Sequence, residues 1–127
     1  MNDTIKERAI SLAKAIAESE EYINFLDKED ALKKDEKAQS LLAEFQEKQQ
    51  EFISKRLMGE VDEELLSSLT ELQARLNELN SVKEFMDAYT KFVDLLGKVG
   101  DLISEQLEFD FGEVQRESAD HLHRSTF

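Results

Sequence analysis

The sequence predicts an all-α fold, an antiparallel array of about five helices that includes long, coiled-coil-like ones. Two observations carry this. Proline is absent from the 127 residues and glycine occurs only at 59, 97, 100 and 112, so few positions obstruct a helical backbone. Leucine and aromatic residues also recur in alternating steps of three and four, the period of a packed helix face.

Capping chemistry sets the expected boundaries. The first helix, about 4–18, opens on Thr4 and Glu7, which together fit a capping box. The second, about 20–34, starts with Glu20-Glu21 and ends on Lys33-Lys34, charges that suit the two poles of a helix dipole. The third, about 36–58, follows Asp35-Glu36, ends near Lys55-Arg56, and meets a left-handed stop at Gly59. The fourth, about 63–79, begins at Asp62-Glu63-Glu64. The fifth, about 82–107, begins with a second capping box of Ser81 and Glu84 and would run about 39 Å. Residues 1–107 are expected to form one helical domain, with 108–127 an acidic C-terminal tail.

The seams indicate what is buried. Leu65, Leu69, Leu72, Leu76 and Leu79 form the seam of the fourth helix, which needs a partner helix. The fifth helix supplies one: Val82, Phe85, Tyr89, Phe92, Leu96, Val99 and Ile103. In the third helix, Lys48-Gln49-Gln50 interrupts the apolar run, so one face there is expected to stay wet. Gly97 and Gly100 each cost about 1 kcal/mol relative to alanine, and close approach of another helix is the expected reason.

Such an array leaves apolar surface uncovered, which predicts a homo-oligomer, most simply a two-fold dimer. Phe85, Tyr89, Phe92 and Leu96 are the residues expected to carry self-association. Phe109 and Phe111 flank Asp110 beyond the last helix; they either dock back on the helices or anchor a second protein.

Composition excludes several chemistries. Without cysteine there is no disulfide, no thiolate metal site and no cysteine nucleophile. The net charge is −13, and Asp101 to Asp120 holds seven carboxylates against Arg116 alone, so direct nucleic-acid binding is not expected. No secretory leader or membrane span is indicated, which places the chain in the cytoplasm without a membrane partner. No phosphate-cradling glycine loop occurs and the serines have no plausible histidine base, so no catalytic residue and no cofactor is assigned. Asp120-His121-Leu122-His123 is read as a solvated tail rather than a metal site.

Ser19-Glu20-Glu21-Tyr22 with Phe25, followed by Asp35, Ala38-Gln39, Leu41, Phe45 and Gln49, resembles the YlbF/YmcA family of bacterial cell-fate regulators over about residues 5–107. The resemblance implies a helical oligomer without enzymatic activity, linked to competence, sporulation and biofilm formation. It further implies an adaptor that modulates an endoribonuclease. Family members in that role carry cysteines associated with iron–sulfur clusters, and this chain, having none, is similar to the short cysteine-free members. The leading expectation is therefore a non-enzymatic cytoplasmic regulator that binds itself and another protein. The alternatives are a metal-dependent enzyme using His121, His123 and nearby carboxylates, and a holdase-like chaperone.

Overall fold

Side-chain oxygens start four of the helices. The computed structural model describes residues 1–112, which form α1 (Asp3–Ala17), α2 (Glu20–Lys34), α3 (Glu36–Leu57), α4 (Glu63–Glu78) and α5 (Asn80–Leu107). Ser19, Asp35 and Asp62 each accept a backbone N–H in the first turn of α2, α3 and α4 respectively. At α1 the cap is Asn2, whose Oδ1 accepts from the Thr4 amide at 2.7 Å, rather than the expected Thr4. A residue just before the helix can take an orphan donor that Thr4, already inside it, cannot. Ser81 departs from expectation as well: its hydroxyl donates to Asp35 Oδ2 at 2.5 Å instead of capping α5.

The chain divides into two compact units, Met1–Tyr89 and the segment that begins at Thr90. In the first, the most extensive packing is between α3 and α4, then between α2 and α3, and then between α1 and α2. Leu65, Leu69, Leu72 and Leu76 of α4 are buried, as the seam requires. Their partner is α3, not the fifth helix. A five-residue connection folds α3 and α4 into an antiparallel pair, and sequence neighbours joined by a short loop pack more readily than helices farther along the chain.

That connection is pinned at both ends. Gly59 has a φ of 84°, and the Glu60 amide donates to the Lys55 carbonyl at 2.9 Å, the six-to-one bond of a Schellman stop. Lys55 Nζ lies 2.7 Å from Asp62 Oδ2, while Asp62 Oδ1 accepts the Leu65 amide at 3.0 Å. One carboxylate therefore closes α3 and opens α4. The Lys55 ammonium and then the Leu65 amide hold the Asp62 carboxyl below its ordinary value, and Asp62 in turn raises Lys55.

Asp35 has an equivalent double role at the preceding corner. It caps α3 through the Ala38 amide at 3.1 Å and receives Ser81, so the start of α5 is tied to the junction of α2 and α3. The Ser81 hydroxyl, then the Ala38 amide, lower its pKa.

Apart from the α4 leucines, only Ala38 and Ala88 are buried among the described residues, and no large side chain there is fully enclosed. Ile5, Ile10 and Leu12 of α1 and Ile23 and Leu26 of α2 remain exposed.

Packing and capping can each be tested by unfolding. Leu72→Ala and Leu76→Ala, at 4% and 3% exposure, should each cost about 2–5 kcal/mol in urea unfolding, whereas Leu66→Ala, at 46%, should cost no more than about 1 kcal/mol. On the acid side, Asp35 and Asp62 have folded pKa values below the unfolded 3.8. Their contribution is complete above that value and is lost as pH falls through the folded values. Lys55, raised above 10.5, behaves oppositely: its contribution is complete below that value and is lost as pH rises through the folded one. The urea midpoint should therefore fall on acidification below about pH 4, and less steeply in Asp35→Asn and Asp62→Asn. Equal acid slopes in the three proteins would exclude these carboxylates as the source.

Candidate protein-binding surfaces

Within Met1–Tyr89, α3 and α4 pack along the leucine seam and leave an open apolar groove of about 640 Å³ on one side. Phe45, Phe52, Ile53, Leu66 and Leu69 form its floor and walls, and Gln49, Thr70, Gln73 and Asn77 supply neutral hydrogen-bonding groups. No lining residue is charged. Gln49 belongs to the polar interruption expected in the third helix, and the face it breaks is indeed wet. Beside it, Lys48 Nζ stands 3.4 Å from Ser68 Oγ. Ile53, Leu66 and Ala74 are not singled out by the sequence, whose apolar seams pair the fourth helix with the fifth. The available signal is Leu66, an apolar residue beside the seam rather than on it.

The same unit holds an aromatic cluster at the start of α5. Phe25 of α2 lies 5.6 Å from Phe85 and 6.0 Å from Tyr89 between ring centroids, and Phe85 and Tyr89 are 6.3 Å apart. Such pairs contribute about 0.5–1.5 kcal/mol beyond their buried area. Lys28 and Glu84, 3.5 Å apart, lie across the same two helices. Phe85 is thus half-buried against its own chain, while Tyr89 keeps about half its surface exposed.

In the segment that begins at Thr90, Phe92 is half-buried and Leu96 exposed. After Leu107 the chain turns at Glu108, whose φ is 55°, and the Phe109 amide donates to the Ser104 carbonyl at 3.1 Å. This too is a Schellman stop, with glutamate where glycine is usual. Phe111 then returns to α5. Its amide donates to Ser104 Oγ at 2.8 Å, its ring lies 3.9 Å from where a Cβ on Gly100 would stand, and the Ser104 hydroxyl donates to the Gly100 carbonyl at 2.9 Å. The two aromatics therefore diverge: Phe111 docks back and Phe109 points outward at 61% exposure. At Gly97 no neighbouring atom of the described residues comes within 4 Å of an added Cβ, so the close helix approach expected there is not made among them.

Among the described residues no group of three or more His, Asp or Glu stands together to hold a metal, and no helix is long and apolar enough to cross a membrane. His121 and His123 lie outside the described residues.

The family model Com_YlbF, "Control of competence regulator ComK, YlbF/YmcA", matches residues 5–108. The chain is similar to a UPF0342 protein of Desulfitobacterium hafniense, 28% identical over 87% of this chain and 85% of the relative. It is also similar to one of Caldicellulosiruptor bescii, 29% identical over 80% and 86%. Bacillus subtilis RicA, solved in complex with RicF, shares the fold with a TM-score of 0.79 at 20% identity, over 85% of this chain and 96% of RicA.

Proposed function

Because the chain belongs to the YlbF/YmcA family, we propose that it is a non-enzymatic cytoplasmic regulator or adaptor that acts by helix-mediated self-association and by binding a second protein. The observation that carries this reading is the mismatch between apolar content and core. Forty per cent of the residues are hydrophobic, yet only six of the described ones are buried. A single chain cannot offset its ordering entropy generously with so thin an interior, and a partner surface supplies the missing burial.

Self-association is assigned to α5 through Phe85, Tyr89, Phe92 and Leu96. The outward Phe109, held by the turn that Phe111 anchors, is assigned to the second protein. RicA, which has this fold, was solved in complex with another protein, RicF, and that complex supports the partner-binding half of the proposal. The family's link to competence, sporulation and biofilm formation sets the cellular context. With a net charge of −13 the partner is taken to be protein rather than nucleic acid.

Light scattering at micromolar concentration should give a mass at least twice the 14.7 kDa of one chain. Affinity capture from the native cell should then recover a second protein whose yield drops with Phe109→Ala while the oligomeric mass is unchanged. A 14.7 kDa species with no captured protein would overturn the proposal.

A further inference from the structure

Two surfaces of the Met1–Tyr89 unit match each other and are not brought together within it. The first is α1. None of its 15 residues is buried, and an uncovered helix of that length is marginal in water. At about 100° per residue, Ile5, Ala9, Leu12, Ala13 and Ile16 share an arc of about 100°, bordered by Lys6 on one side and Arg8 on the other, while Asp3, Glu7 and Lys14 stand opposite. Ile5 and Leu12 are 59% and 40% exposed, and Ile16, at the α2 end, is half-buried.

The second is the groove between α3 and α4, which among the described residues is lined by those two helices alone. Leu66 is 46% and Ile53 50% exposed there, above the buried Leu69. Its polar residues ask little of an occupant: the Thr70 hydroxyl donates to the Leu66 carbonyl at 3.0 Å, and the Gln73 side-chain amide donates to Asn77 Oδ1 at 3.0 Å. An apolar helix face can therefore settle on the groove without stranding these donors. Ile5 to Ala13 covers about 12 Å of helix axis, as does Phe45 to Ile53.

Charge selects the same pairing. Lys6, Arg8 and Lys14 outnumber Asp3 and Glu7, which makes α1 the one helix of the five with a net positive charge, whereas Glu63, Glu64, Glu71 and Glu78 leave α4 acidic against Arg75 alone. With the apolar arc of α1 in the groove, Lys6 and Arg8 lie along its edges with their charged heads in water. Within its own chain α1 packs on α2 and takes no part in the groove. We propose that the α3–α4 groove receives α1 of a second copy of this chain, with Ile5, Ala9 and Leu12 facing Ile53, Leu66 and Leu69. The proposal rests on the self-association reading above and adds to it a contact that does not involve α5.

The chain has no cysteine, so single introduced cysteines report contact without background. Full-length Ala9→Cys and Gln49→Cys proteins, the first tagged so that the two differ in mass, are mixed under mild oxidation. Both positions are exposed and lie midway along their surfaces, so they meet whichever way α1 runs. The mixed disulfide should form about tenfold faster than with Ser11→Cys, on the opposite face of α1, because a bridge needs Cα atoms within about 7 Å. Leu66→Glu in the Gln49→Cys protein should slow it by a similar factor with the helical circular dichroism unchanged. Equal rates for Ala9→Cys and Ser11→Cys overturn the contact. So does a disulfide that closes within one chain carrying both Ala9→Cys and Gln49→Cys while the mixed single variants stay unbridged, since the occupant is then the chain's own α1. No mixed disulfide in a protein that light scattering finds oligomeric overturns this contact and leaves self-association standing, whereas no mixed disulfide in a protein of 14.7 kDa overturns both.

Discussion

The α4 leucine seam against α3 is the interaction on which the larger unit depends. Leu65, Leu69, Leu72 and Leu76 are the only large side chains that the unit buries among the described residues, and at about 1.5–3 kcal/mol each they dominate its hydrophobic stabilisation. Everything else in Met1–Tyr89 is arranged around that pair of helices. α2 packs on α3, α1 packs on α2, and the groove that opens beside the seam exists because two helices in contact along one line diverge on either side of it.

Two aspartates tie this arrangement together. Asp62 ends the α3–α4 connection by binding Lys55 and the Leu65 amide, and Asp35 joins the α2–α3 corner to Ser81. Neither is buried, so their value lies less in Coulomb energy, which solvent screens, than in fixing where each helix starts. A seam with a three-and-four period is sensitive to register, and a cap that fixes the first residue of a helix fixes which face its leucines present.

The helix pattern is legible in the sequence because every signal for it is local. Gly59, Asp35, Asp62 and the paired glutamates of α2 and α4 act within one turn of their own position, and the boundaries they imply agree with the structure within about two residues. Pairing is less legible. The α4 seam announces that it needs a partner, but α3 and α5 both offer apolar stripes, and nothing in a stripe names the helix that faces it. Ser81 misleads for a related reason, since a serine followed three residues later by glutamate fits a capping box, but α5 already begins at Asn80, so Ser81 stands inside the helix and its hydroxyl is left to donate to Asp35. The groove cannot be read at all from spacing, because Phe45, Ile53, Leu66 and Ala74 become neighbours only once two helices are set side by side.

The same distinction applies along α5. Its lysines and acids are gathered on one side of the helix, so the remaining face has no charge to keep it in water. Phe25 meets that surface at Phe85 and Tyr89, and Phe111 meets it again at Gly100. Val93 and Leu96 are exposed. On a chain of net charge −13, an apolar helix face that carries no charge is where association would meet the least electrostatic opposition.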